Sequence, residues 1–164
     1  MRRLSLALVV AGIAGLAAAQ TAAPRLSLRT VAALPVPLPY PYDEKAKADA
    51  VVAQAFARAA KSGKRVLIDM GGNWCPDCRV LAGVMALPDM KTFLAAHYEV
   101  AMVDVGRFDK NLQIPARFGI GKLVGVPTVV IAKANGTPLN VTSSADLASA
   151  GQMTPQGIAD WLAR

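Results

Sequence analysis

Both cysteines of this 164-residue chain stand in one short segment, Trp74-Cys75-Pro76-Asp77-Cys78. Two thiols at Cys-x-x-Cys spacing can form and break a disulfide reversibly. The segment follows an apolar run, Val66 to Met70, so it should lie where a strand turns into a helix. A disulfide across so short a loop restrains little of the unfolded chain. We therefore predict that the pair serves thiol-disulfide chemistry rather than stability.

The two cysteines are predicted to have different roles. Cys75 should lie at the start of the helix, where unpaired backbone N–H groups and the helix dipole favour a thiolate. It is therefore the candidate nucleophile. Cys78, one turn further on, should be more buried and close enough to attack a mixed disulfide on Cys75. Such a pair carries two electrons itself, so we predict no cofactor besides the redox-active Cys75–Cys78 disulfide.

An acidic residue precedes the motif inside the apolar run. Asp69 lies six residues before Cys75, in a strand that should be buried. Burial of a carboxylate is costly unless the group is paired or takes up a proton, so its pKa should be raised. Such a group could accept the proton of Cys78. We therefore predict Asp69 as the third catalytic residue.

The first residues have the pattern of a secretory signal peptide. Arg2 and Arg3 precede an apolar stretch, residues 4 to 16, and small residues before Gln20 would allow cleavage there. The apolar stretch is shorter than the ~20 residues that span a bilayer. We predict that residues 1–19 are a signal peptide and that the protein is periplasmic or secreted, with an uncleaved membrane anchor as the alternative.

The chain after the signal peptide divides into two predicted parts. Residues 20–42 contain five prolines, which disfavour helix and central strand, so we predict a Pro-rich extended linker. It either holds the domain off a membrane or lies along the domain. Residues 43–164 are predicted to form one domain and to be monomeric. The net charge of +7 comes without a Lys/Arg cluster, so we predict no nucleic-acid partner.

The remaining elements follow from hydrophobic periodicity and turn signals. Strands are predicted over 65–70, 98–105 and 126–132, with an antiparallel return over 137–142 after the Asn135-Gly136 turn. Helices are predicted over 43–62, 75–87, 89–96 and 109–118, and from Thr154 to the end. This order predicts an α/β fold with a central mixed sheet flanked by helices.

Three features together resemble the thioredoxin family. They are Asp69, the Trp74-Cys75-Pro76-Asp77-Cys78 motif, and Gly125-Val126-Pro127-Thr128 before an apolar strand. The resemblance covers about residues 43 to 164 and implies a thioredoxin fold. It implies Cys75 as the attacking cysteine, Cys78 as the resolving cysteine and Asp69 as the buried acid.

The resemblance also implies where a substrate would bind. Pro127 matches the family's cis-proline, and Val126 would offer backbone hydrogen bonds to an extended peptide. Trp74 matches the tryptophan that packs over the active site. With Pro76 and Asp77 these are the predicted substrate-binding residues.

The dipeptide between the cysteines bears on the redox direction. In the family, a histidine at the position of Asp77 stabilises the thiolate and makes members oxidising. Asp77 has the opposite charge, so it should disfavour the thiolate and make the disulfide harder to reduce. Arg79 should offset part of this effect. We therefore predict a protein-disulfide reductase or isomerase rather than a disulfide-forming oxidase.

Two other kinds of function use the same residues. The cysteine pair could bind or deliver a soft metal such as copper, although His97, the single histidine, lies far away in sequence. A non-catalytic binding module with an inert disulfide is the other alternative. For the predicted enzyme, the partners are protein thiols and disulfides, with a membrane thiol relay as electron donor.

Overall fold

Three strands form a mixed sheet within residues 21–164, the part of the chain that the computed structural model describes. They are β1 (Arg65–Gly71), β2 (Tyr98–Asp104) and β3 (Thr128–Ala132). β1 lies in the centre, parallel to β2 and antiparallel to β3. The predicted central mixed sheet is confirmed. The predicted signal peptide, residues 1–19, lies outside the described residues.

Helices cover both faces of the sheet because the side chains of β1 alternate between them. Ile68 packs against the face covered by α1, whereas Leu67 packs against the opposite face with α2, α3 and α5. The helices are α1 (Ala48–Ser62), α2 (Pro76–Met85), α3 (Pro88–His97), α4 (Gln113–Arg117) and α5 (Pro155–Leu162). Among the residues described, no helix is both long and apolar enough to cross a bilayer.

The helix ends show which local signals were correct. Gly63 ends α1 in the left-handed conformation, and Thr154 caps α5 through a hydrogen bond from the Gly157 N–H, with Pro155 at the first position. The start of α1 was predicted wrongly. Asp43 forms a separate turn, accepting from the Lys45 N–H, and the helix begins at Ala48.

The strand predicted over residues 137–142 does not form. Pro138 makes only an isolated bridge to the end of β3. The side chain of Asn140 then occupies the edge of β3, accepting from the Ile131 N–H (2.7 Å) and donating to the Val129 carbonyl (2.8 Å). The chain therefore returns antiparallel to β3 over a short stretch only, with the Lys133 N–H bonded to the Thr137 carbonyl and the Leu139 N–H bonded to the Ile131 carbonyl, and the asparagine amide continues the pairing.

The segment before α1 packs on the domain. It contains one 3-10 turn, Val31–Ala33, and otherwise lacks regular structure. Leu34 and Tyr42 are buried, each in one of the two core clusters. A domain boundary at residue 43 stays a prediction, but side chains before it belong to the core.

Candidate active site

The cysteines lie at and just after the turn that joins the central strand β1 to helix α2. β1 ends at Gly71, the chain turns with the Cys75 N–H bonded to the Gly72 carbonyl, and α2 begins at Pro76. Proline suits this first helical position because its missing N–H has no partner there. Cys75 is the N-cap of α2, and its Sγ accepts a hydrogen bond from the Cys78 N–H at 3.3 Å.

Both cysteines are free thiols, and they differ in exposure. Cys78 is fully buried, whereas 4% of Cys75 reaches the surface. Burial, followed by the hydrogen bond with Cys75, raises the pKa of the Cys78 thiol. Cys78 therefore holds its proton strongly until a neighbour removes it.

Across residues 21–164, no three side chains of His, Cys, Asp or Glu are grouped so that they could hold a metal.

The loop before β3 closes over Cys75. The Cys75 thiol donates to the carbonyl oxygen of Val126 at 3.3 Å, and the Val126–Pro127 peptide bond is cis. Pro127 is itself buried. The two predicted substrate-binding residues of this loop therefore lie next to Cys75, while their role in binding stays a prediction.

Asp69 is fully buried in the middle of the sheet. Its Oδ1 accepts a hydrogen bond from the Tyr42 hydroxyl at 2.9 Å, whereas its Oδ2 has no hydrogen-bond partner among residues 21–164. Burial raises the pKa of Asp69 to about 7, and the Tyr42 hydrogen bond opposes this by favouring the charged form. The direction agrees with the expectation for a carboxyl group in an apolar strand.

Tyr42 is the residue that the sequence analysis missed. Its ring is buried, and burial together with the nearby Asp69 carboxylate raises the pKa of its hydroxyl. A Cβ placed on Gly71 would lie 2.4 Å from Tyr42 Oη and 2.6 Å from Cys78 Sγ. The hydroxyl and the thiol therefore both border the space over Gly71, which a side chain at that position would fill.

Two side chains of the motif region hold the Tyr42 segment in place. Asn73 donates to the Tyr42 carbonyl (2.9 Å) and accepts from the Tyr42 N–H (3.2 Å). Arg79 donates to the carbonyls of Leu38 (2.9 Å) and Pro39 (3.3 Å), and its guanidinium lies over the Tyr40 ring. The guanidinium keeps its positive charge in these contacts, so the expectation that Arg79 offsets part of the effect of Asp77 stays a prediction.

Asp77 points toward a loop rather than toward the thiols. Its Oδ1 accepts a hydrogen bond from the Gly151 N–H at 2.7 Å, in the irregular 3-10 segment Asp146–Gln152. The carboxylate thus ties the first turn of α2 to the loop that precedes α5.

The surface beside the cysteines carries both aromatic and charged side chains, with the Arg107 guanidinium over the Trp74 ring. Trp74 is 41% exposed, donates its indole N–H to the Gly106 carbonyl and packs edge-on against Phe108. Pro76 is exposed on the other side of Cys75. A hollow of about 450 Å³ continues past Phe108 and is lined by Leu112 and the exposed Val124. These side chains could contact an extended peptide.

A family model described as Thioredoxin-like matches residues 47–134. The chain belongs to the thioredoxin-like family. A thioredoxin of Alicyclobacillus acidocaldarius subsp. acidocaldarius is 31% identical over 84 residues, 51% of this chain and 71% of that protein. The crystal structure of a disulphide isomerase from Xylella fastidiosa Temecula1 is 37% identical with a TM-score of 0.72, over 77% of this chain and 96% of that chain. The predicted fold is confirmed.

In this thioredoxin-like protein, the residues around the cysteines come from three separated parts of the chain. Asp69 and the motif are adjacent in sequence, and the Val126–Pro127 loop was predicted from the resemblance. Tyr42 lies 27 residues from Asp69. The available signal was an aromatic residue among prolines, and no periodicity marked it as buried.

Gly71 offers a test of how tightly this site is packed. Gly71→Ala should lower the free energy of unfolding by about 2 kcal/mol, because the new methyl group would overlap Tyr42 Oη and Cys78 Sγ. Urea unfolding of the reduced protein measures the change. Gly121→Ala is the matched control, since nothing lies within 4 Å of its added Cβ. Equal stabilities of the two variants would contradict the described packing.

Proposed function

We propose that the protein is a thiol-disulfide oxidoreductase that reduces or isomerises protein disulfides through Cys75 and Cys78. The observation that carries the proposal is the placement of the two thiols. Cys75 caps α2 beside the Val126 carbonyl with 4% of its surface exposed, and a fully buried Cys78 lies one turn behind it. Membership of the thioredoxin-like family and the likeness to a disulphide isomerase support it.

The reaction follows from the different exposure of the two thiols. The Cys75 thiolate attacks one sulfur of a substrate disulfide and forms a mixed disulfide, while the other substrate sulfur leaves as a thiolate. Cys78 then loses its proton and attacks Cys75 Sγ, which releases the second substrate sulfur. The substrate disulfide gains two electrons, and the Cys75–Cys78 pair is oxidised to a disulfide.

The charges near the motif favour the reducing direction. Asp77 places a carboxylate in the first turn of α2, where it opposes the formation of a thiolate. The Arg79 guanidinium binds the neutral carbonyls of Leu38 and Pro39 and keeps its charge, which we expect to offset only part of the effect of Asp77. A less stable thiolate makes the dithiol a better reductant.

The proposed setting is the periplasm or another extracytoplasmic compartment, after removal of the predicted signal peptide. The substrates would be protein thiols and disulfides, which the exposed Trp74 and the Val126–Pro127 loop would contact. A reductant in an oxidising compartment needs an electron supply, and a membrane thiol relay would provide it. The protein would act as a monomer.

The reduction potential against glutathione tests the proposal. The wild-type protein should have a potential more negative than glutathione and should reduce the disulfides of insulin in the presence of dithiothreitol. Asp77→Asn keeps an acceptor for the Gly151 N–H but removes the charge, and should shift the equilibrium toward the dithiol about threefold, roughly 15 mV. A strongly oxidising wild-type value would contradict the reductase direction, and absence of thiol exchange would contradict the enzyme itself.

A further inference from the structure

We propose that the Tyr42 hydroxyl relays the proton from Cys78 to Asp69 during the resolving step. This inference rests on the proposed function, because it assigns a role within that reaction. It makes a residue from outside the predicted domain part of the proton path.

The position of the Tyr42 hydroxyl, close to both Asp69 and Cys78, supports the relay. It donates to Asp69 Oδ1 over 2.9 Å, so its hydrogen already points at the buried carboxyl group. Its oxygen also lies beside the space over Gly71 that Cys78 Sγ borders. The hydroxyl can therefore accept a proton from the thiol and donate one to the carboxylate.

Within residues 21–164, the Tyr42 hydroxyl is the one hydrogen-bond partner of the Asp69 side chain. Its partners across the sheet are Met102 on β2 and Val129 on β3, neither of which titrates. The buried residues of α1, α3 and α5 are apolar, so Cys78 on α2 and Tyr42 are the titratable groups that face this region. Within the described residues, Oδ2 has no hydrogen bond at all. A buried carboxylate is costly to keep charged. A proton that reaches Asp69 through the Tyr42 hydroxyl would remove this cost.

Residues on both sides of the Cys75–Cys78 motif hold Tyr42 and the segment before it in place. Asn73, two residues before Cys75, makes two hydrogen bonds to its backbone, and Arg79, next to Cys78, binds the carbonyls of Leu38 and Pro39. These contacts hold the hydroxyl in register with the reacting thiol. A purely structural aromatic residue would need only its ring packing.

The protons and electrons balance in the proposed step. The S–H bond of Cys78 breaks as its sulfur attacks Cys75 Sγ, and the Cys75–substrate bond breaks with its electron pair leaving on the substrate thiolate. The Cys78 proton goes to Tyr42 Oη while the Tyr42 proton goes to Asp69. Tyr42 is neutral before and after, as expected for a phenol whose pKa burial raises. Asp69 begins as the carboxylate, which with a pKa of about 7 is available near neutral pH.

Ellman's reagent separates the two steps of the reaction. Cys75 releases one thionitrobenzoate as it attacks, and Cys78 releases a second as it resolves the mixed disulfide. Because thionitrobenzoate leaves without needing a proton, the second phase reports removal of the Cys78 proton. In the wild-type protein its rate should rise with pH around a midpoint of about 7.

Tyr42→Phe keeps the ring and removes only the hydroxyl. The second phase should slow about tenfold at pH 7, and its midpoint should move up by about one pH unit, because Asp69 loses the hydrogen bond that favours its charged form. The first phase should change less than twofold. Tyr98→Phe is the control, since Tyr98 is also buried but donates to the Leu162 carbonyl away from the cysteines, and both phases should match the wild type.

Three outcomes decide the inference. An unshifted pH profile in Tyr42→Phe, or an equal loss in both phases, would overturn the relay while leaving the proposed function standing. Absence of any second phase in the wild-type protein would instead contradict the proposed function. If Tyr42→Phe does not fold, the wild-type rate in H₂O and D₂O mixtures is measured. A curved dependence supports two protons in transfer, and a straight line overturns the relay.

Discussion

Cys78→Ala should convert the protein into a trap that retains its partners as mixed disulfides on Cys75. Cys75, of which 4% reaches the surface, can still attack, but the fully buried thiol that would release the partner is gone. An intramolecular attack from one helical turn away has a large advantage over free thiols in solution. We therefore expect the mixed disulfides to persist about 10³-fold longer or more than in the wild-type protein.

Non-reducing gel electrophoresis after acid quenching, followed by mass spectrometry, would measure the trapped species. Cys75→Ala is the matched control, because the thiol it retains, Cys78, is fully buried and holds its proton strongly. It should trap nothing. Capture of the same partners by Cys75→Ala, or no capture by Cys78→Ala, would contradict the assignment of attacking and resolving cysteines.

Asp69 should make the folded protein less stable as the pH rises. An aspartate in an unfolded chain titrates near 3.9, whereas the folded-state pKa of Asp69 is about 7. Between these values the folded state binds more protons than the unfolded state. The stabilisation is therefore complete below about pH 4 and is lost as pH rises through about 7, for a total of about 4 kcal/mol.

Asp69→Asn should remove this dependence. Relative to wild type, the variant should gain about 3 kcal/mol in free energy of unfolding between pH 5 and pH 8, measured by urea unfolding of the reduced protein. Any constant offset from the amide cancels in this comparison. Asp89→Asn changes an exposed aspartate and should keep the wild-type dependence. Parallel stability curves for wild type and Asp69→Asn would contradict the raised pKa.

The sequence predicted the fold well where local physics decides the structure. The apolar run of β1, the proline after Cys75, and the Thr154-Pro155 start of α5 each specify an element through neighbouring residues. The mixed sheet and the position of the cysteines at a strand-to-helix turn followed from these signals.

The errors lie where a side chain from elsewhere replaces a local interaction. Asn140 binds the backbone of β3 at the place where a hairpin strand was predicted. Tyr42 was assigned to a linker because prolines surround it, yet its hydroxyl binds Asp69 in the core. Neither contact has a sequence period, so pattern analysis could not have found them.

The Pro-rich segment is attached to the Cys75–Cys78 motif, so the choice of fragment boundary decides whether these contacts are kept. A fragment that starts at residue 43 would keep both cysteines, Asp69 and the Val126–Pro127 loop. It would therefore contain all three predicted catalytic residues. It would also lack the residue that Asn73 holds and the carbonyls that Arg79 binds. We therefore expect that a fully active fragment must begin upstream of Leu38, since a shorter one loses these contacts.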